Sequence, residues 1–331
     1  MSDRYDVIGI GNAIVDVLAR AEDDFLVKQG MVKGAMALID EARAEAIYAA
    51  MGPAIEISGG SAANTIVGVA SFGGRAAFIG TVRDDTLGGV FSHDIRAAGV
   101  SFGTSPFKNG PSTARSYILV TPDGERTMNT YLGAAQLLSA AEIAEGEIAS
   151  AKVTYLEGYL WDPQNAKEAF IKAARIAHQA KRAVSLTLSD AFCVDRYRDE
   201  FRTLIKDGTV DLLFANESEL KSLYQTADFD GAVAALQADA KLAVVTRSEK
   251  GALVVTPDKT EAVAAFPVAK VVDTTGAGDL FAAGFLYGFA RGMPHTTSAQ
   301  LGALAAAEVI SHLGARPERK LADLAREKKL I

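Results

Sequence analysis

Cysteine is almost missing from this 331-residue chain, which has one, Cys193, together with four histidines. A lone cysteine forms no intramolecular bridge, and no histidine stands at ligand spacing from another or from Cys193. A disulfide scaffold and a structural zinc are therefore excluded. No apolar run reaches the roughly 20 residues of a membrane span. The longest, Leu280 to Ala290, reads as a core helix. Positive charge is not in excess either: 34 Lys and Arg against 41 Asp and Glu leave a net charge of −7, with the signs interspersed. That argues against a nucleic-acid or anionic-membrane partner and favours a small molecule. The start, MSDRYDVIGIG, has neither the basic nor the apolar region of a signal peptide, so the expectation is a cytoplasmic protein. No GxxxxGK[ST] loop occurs, and GIGNAI lacks the third glycine of a dinucleotide fingerprint, whose place is taken by Ile14.

With 49% hydrophobic residues the chain can bury a large core. Its most informative stretch is 271–285, VVDTTGAGDLFAAGF. Val271 and Val272 read as the end of a buried strand, Asp273 to Gly278 as a tight turn, and Leu280 onward as an apolar helix. Gly276, Ala277 and Gly278 carry little or no side chain, so their N–H groups can approach an anion closely, helped by the start of the helix. Asp279 lies in the same turn. It suits either a helix-start carboxylate or a base beside a bound phosphoryl group.

Before that stretch the pattern alternates between two kinds of sheet. Tyr5 to Ile10 is a strand followed by Asn12 and Asp16, an amide and a carboxylate able to grip vicinal hydroxyls. Short apolar pieces over about 16–40 and 54–58 read as antiparallel strands of a small separate sheet. The text at 101–132 adds a hairpin turning at Pro122 to Gly124. Placed over a crevice, such a sheet would act as a water-excluding lid. In 59–74, Gly59 and Gly60 lead to Ser61 as the expected helix cap, with Asn64 in the first turn. Beyond 133, strands alternate with helices, which predicts a parallel sheet covered on both faces. Asn216 and Glu219 stand three apart at a helix start, where they form either a Mg²⁺ station or a capping box. No linker or repeat divides 1–331, which is expected to be one domain with the lid inserted.

Together, GGSAANT (59–65), NESE (216–219) and DTTGAGDLFAAGF (273–285), in that order, resemble the ribokinase/PfkB family of carbohydrate and nucleoside kinases. The resemblance implies a three-layer α/β/α body with a mainly parallel central sheet and a small β lid. It also implies ATP and Mg²⁺ as partners of the reaction, with K⁺ as a further cation. Asp279 would be the base, and Gly276, Ala277 and Gly278 would hold the transferring phosphate. Asn12, Asp16, Gly59, Gly60, Ser61 and Asn64 would bind the acceptor's hydroxyls. Asn216, Thr246 and Gly251, with Gly276 and Gly278, would surround ATP. Asn216 and Glu219 would organise Mg²⁺ through water, and Asp273 and Thr275 would match a monovalent-cation loop. Ile14, Met128, Thr130, Leu132 and Tyr159 would line an apolar slot.

Within the family, the Asn12-x-x-x-Asp16 spacing, Ser61, GERTMNTYLGAA (124–135) and GARP (314–317) resemble adenosine kinases more than ribokinases. Phosphorylation of adenosine at its 5′-hydroxyl is the resulting expectation. A sugar kinase acting on ribose, fructose or 2-keto-3-deoxygluconate, an inosine or guanosine kinase, and a non-catalytic nucleotide sensor are the alternatives. The free edges of the lid leave the chain either a monomer or a homodimer paired through it.

Overall fold

The computed structural model describes residues 3–331, so the first two residues of the acidic start lie outside the described residues. In chain order the strands are β1 (Tyr5–Ile10), β2 (Ile14–Arg20), β3 (Met36–Leu38), β4 (Ala54–Gly59), β5 (Ala76–Ile79), β6 (Ser101–Phe102), β7 (Ala114–Val120), β8 (Arg126–Tyr131), β9 (Ala151–Glu157), β10 (Ala183–Thr187), β11 (Leu212–Asn216), β12 (Ala243–Thr246), β13 (Ala252–Val255) and β14 (Thr260–Val263). The helices are α1 (Asp23–Lys28), α2 (Glu41–Ala50), α3 (Ser61–Ser71), α4 (Thr86–Ala97), α5 (Glu145–Ala149), α6 (Gln164–Gln179), α7 (Ala191–Lys206), α8 (Glu217–Tyr224), α9 (Phe229–Asp239), α10 (Ala277–Ala290), α11 (His295–Val309) and α12 (Leu321–Glu327).

The body is a nine-stranded sheet in the order β14-β13-β12-β11-β10-β9-β1-β5-β6. It is parallel from β12 to β6 and antiparallel only at the β13 and β14 edge. Alternate residues feed two cores, as period two requires. Val7, Val153 and Phe214 face the layer of α3, α10 and α11. Ile8, Leu156 and Leu213 face the layer of α6, α7, α8 and α9. The result is the α/β fold with a mostly parallel large sheet that the alternation predicted.

A second sheet of five strands, β3-β8-β7-β2-β4, stands apart. It is not wholly antiparallel as expected: β2 pairs with β7, and β3 with β8, in parallel, while β2–β4 and β7–β8 are antiparallel. The reason is topological, since β7 arrives from the body side after the long 59–113 excursion rather than by a hairpin from β2. One face, carrying Val15, Val17 and Tyr117, packs on Ala44 and Ile47 of α2. The opposite face is open to the crevice.

Two other expectations are corrected. Val271 and Val272 form no strand and are 54% and 40% exposed. The hairpin β13–β14 occupies the sheet edge, and Val272 N–H donates instead to Ile310 O at 2.8 Å. The helix cap is Gly60, whose φ of 96° frees Ser61 to be the first helical residue. Helices α10 and α11 meet at backbone contact, and α3 closes on α10 with only a methyl between them. A Cβ at Gly284 would lie 2.4 Å from Leu301, one at Gly302 2.5 Å from Phe281 O, and one at Gly68 2.5 Å from Ala283. Among the described residues no helix is long and apolar enough to cross a membrane.

Candidate active site

The site forms where β1, β9 and β11 end, α3 and α10 begin, and the open face of the small sheet looks across at them. Gly276 takes the left-handed conformation, φ 78°, which lets the chain reverse into α10. A Cβ there would also strike Ala315 at 2.8 Å, while Gly278 has nothing near its Cβ position. Among the described residues the N–H groups of Gly276, Gly278 and Asp279 find no acceptor, whereas Ala277 N–H closes the turn on Thr274 O at 3.2 Å. Unpaired donors at a helix start make an anion cradle, with Ala277 committed to the turn itself.

Asp279 lies on the first turn of α10 and accepts from Ser61 Oγ at 2.6 Å and from Asn64 Nδ2 at 3.0 Å. Both donors come from α3, so Ser61 orients the carboxylate instead of capping its own helix. Burial raises the Asp279 carboxyl above its ordinary range, and these two hydrogen bonds and the nearby Arg316 oppose the rise. Such a carboxylate, fixed in direction and short of solvent, is equipped to accept a proton.

Asn12 is buried and donates through Nδ2 to Glu157 at 2.6 Å. Glu157 ends β9, also accepts from Ala62 N at 2.8 Å, and is pushed up to about 7 by burial. The Oδ1 atoms of Asn12 and Asn64 are buried and meet no donor in the protein. Two orphaned acceptors in one cleft are matched by ligand hydroxyls. Asp16 lies on β2 rather than in the turn after β1, and burial pushes it up to about 7, against the pull of Arg316. Its carboxylate rests on the backbone of Gly59, where a Cβ would come within 2.3 Å of it. Gly60 is equally constrained, its Cβ position lying 2.3 Å from Asn12 O.

Register puts Asp16 opposite Ser116, Ser116 opposite Thr130, and Ile14 two residues from Asp16 on the same face. Met128 and Thr130 share that face on β8, so four of the predicted binding residues line one wall. Leu132 follows β8 and is half-buried. Tyr159 belongs elsewhere: its hydroxyl lies beside Asp190, with Asp279 and Glu219 as further charges, and burial drives it up.

Asn216 and Glu219 form a full capping box, Glu219 N donating to Asn216 Oδ1 at 2.8 Å and Asn216 N to Glu219 Oε2 at 3.0 Å. Each Glu219 oxygen keeps a second acceptor position for water. Burial, with Asp190 and Asp279 adding to it, pushes Glu219 up to about 7. This excess of negative charge fits a divalent cation held through water. Among the described residues no three His, Cys, Asp or Glu side chains form a direct cage.

Asp273 and Thr275 are already engaged. Arg126 of β8 reaches Asp273 Oδ2 at 2.6 Å and Thr275 Oγ1 at 3.0 Å. Gly314 N donates to Asp273 at 2.8 Å. With the guanidinium seated there the pair does not fit a K⁺ ion. Thr246 ends β12 beside Ala215 O, and Gly251, φ 81°, is required by its packing on Val263 O at 2.0 Å from its Cβ position. Glu157, Arg126 and Arg316 are the site residues that sequence reasoning passed over. Each was visible as a charge at the end of, or just beyond, an apolar element.

The matches to known proteins agree with this geometry. Residues 55–320 match the model of the pfkB family carbohydrate kinases. The adenosine kinase structure from Sinorhizobium meliloti is 55% identical, covers 98% of this chain and 99% of its own, and superposes with a TM-score of 0.92. The probable sugar kinase from Rhizobium etli CFN 42 is 53% identical over 100% of both chains, with a TM-score of 0.94. A fructokinase from Solanum tuberosum is 30% identical over 234 residues, 70% of this chain and 71% of that protein. A kinase of this kind transfers a phosphoryl group to a hydroxyl and implies ATP and a divalent metal. The chain belongs to the pfkB family of carbohydrate kinases.

Proposed function

We propose that this kinase phosphorylates the 5′-hydroxyl of a nucleoside, adenosine foremost, converting ATP to ADP and adenosine to AMP. The observation that carries the reading is the shared face of the small sheet. There the hydroxyl-gripping Asp16 stands next to Ile14 and across from Met128 and Thr130. One side chain suits a ribose and its neighbours suit a flat apolar base. The likeness to the Sinorhizobium adenosine kinase supports the same choice.

Asp16, Asn12 Oδ1 and Asn64 Oδ1 accept from the acceptor's hydroxyls and aim the reacting one at Asp279. Asp279 takes its proton as the oxygen attacks the γ-phosphorus in line, the new P–O bond forming while the bond to ADP breaks. The N–H groups of Gly276 and Gly278 stabilise the charge on the phosphoryl oxygens. Asn216 and Glu219 would hold Mg²⁺ through water, and the metal would neutralise phosphate charge. The chain acts as one domain in which the small sheet is a lid, and its free edges β3 and β4 pair between two copies.

Turnover of ATP with Mg²⁺, measured against adenosine, inosine, guanosine, ribose, fructose and 2-keto-3-deoxygluconate, tests this. Adenosine is expected to give the highest kcat/KM, unchanged when choline replaces K⁺. A free sugar as best substrate would favour the second reading, a sugar kinase, for which the fructokinase identity speaks.

A further inference from the structure

Arg316 takes no part in the reaction as described, yet it stands at the centre of the cleft's charge. It follows Gly314 and Ala315, and Ala315 packs on Gly276, so the segment leans directly on the anion turn. Its side chain then leaves the body and reaches the small sheet. Nη2 donates to Ser58 O at 2.7 Å and to Ser58 Oγ at 3.1 Å. Ser58 N in turn donates to Asp94 of α4 at 2.8 Å. Ser58 precedes Gly59, the residue against which the Asp16 carboxylate lies. The Nε of Arg316 is buried and has no partner in the protein. The acids whose charge reaches the guanidinium are Asp94 from α4, Asp16 from β2 and Asp279 from α10.

We propose that Arg316 is a positioning residue for phosphoryl transfer, tying the end of β4, and with it the Asp16 carboxylate on Gly59, to the anion turn of α10 and giving Asp16 and Asp279 a common counter-charge. Two carboxylates that sense each other in a dry site tend to share a proton. A fixed guanidinium opposes that sharing, and arginine cannot lose its own charge in doing so. Asp16 faces Arg316, Arg126 and Asp279. Asp279 faces Arg316, the hydrogen-bonding Ser61 and Asn64, and the acids Glu157 and Glu219. Against this acidic surround Arg316 is the one cation that both Asp16 and Asp279 feel.

The inference rests on Asp279 as base, so the deciding measurement does not use turnover. Carboxyl NMR titration of the ligand-free full chain is compared for wild type, Arg316→Gln and Arg316→Lys, with kcat/KM against pH alongside. In Arg316→Gln, Asp16 and Asp279 are expected to titrate about one pH unit higher, and the acid limb of kcat/KM to move up with them. A folded Arg316→Gln protein whose two titrations stay in place overturns the proposal. Should that variant not fold, Arg316→Lys decides. It keeps the charge and drops the two-oxygen grip on Ser58, so the KM for the acceptor should rise about tenfold with the limb unmoved. A wild-type KM overturns it. An Asp279→Asn enzyme that turns over normally would remove the base assignment while leaving the titrations to speak for Arg316.

Discussion

Strand β1 buries all six of its residues, whereas β4, at the edge of the small sheet, buries only its last two. The body is closed on both faces by helices. The small sheet is closed on one, and its edge strands expose Met36, Leu38 and Ile55. Burial is therefore concentrated in the body, and on the proposed reading the small sheet supplies the face that meets the substrate. They share an apolar core that runs from Val15, Val17 and Tyr117 into the body, and two charged links cross between them as well: Arg126 runs from the sheet to Asp273, and Arg316 from the body to Ser58.

The sharpest division is between chemistry and recognition. Asp279→Asn removes the base on the body side, and kcat should fall by about 10²–10⁴-fold while ATP binding, read by calorimetry, persists. Retained turnover would break the assignment. The link between the regions is tested by Arg126→Met, which leaves Asp273 buried and uncompensated. A loss of about 3–5 kcal/mol in urea unfolding is expected, and a change below 1 kcal/mol would show the sheet to be held otherwise.

Recognition alone is touched by Gly59→Ala, whose Cβ would displace the Asp16 carboxylate. The KM for the acceptor should rise about 10–100-fold with that for ATP unmoved. A similar rise for both substrates would mean the two regions are not separable. Acidity sharpens the same point. Asp16, held up to about 7 by burial, is protonated below that pH, and one of its two acceptor oxygens becomes a donor while its charge is lost. The kcat/KM for the acceptor should thus fall about tenfold per unit as pH drops below 7, and Asp16→Asn should abolish that limb's Asp16 component. At the outer rim, Ile55→Asp should cost no more than about 0.5 kcal/mol yet convert a sedimenting dimer to monomer. A wild-type protein that sediments as a monomer would remove the edge-pairing idea.

The body was largely legible beforehand because its signals are local and repeated: apolar strands in alternation with helices, and a glycine turn before Asp279. The exceptions have physical causes. Val271 and Val272 have the composition of a strand but no neighbour to pair with, because the β13–β14 hairpin takes the edge. Asp16 was recognised as a hydroxyl-gripping residue beyond the end of β1, and it stands on β2, which only three residues separate from β1. Glu157, Arg126 and Arg316 escaped because their roles depend on partners 95 to 258 residues away. Tyr159 was assigned by residue type, and only the packing after β9 turns its hydroxyl to Asp190.

The glycine contacts among α3, α10 and α11 bear on how the enzyme would be mechanically loaded. Helices touching backbone to backbone have almost no compliance, since no side-chain layer remains between them to deform. α10 is therefore seated like an anvil, with Asp279 and the unpaired N–H groups at its head. When charge shifts during transfer, those dipoles cannot recoil, so little energy goes into reorienting them. On the proposed lid reading, the yielding part of the enzyme is the half-covered sheet on the other side.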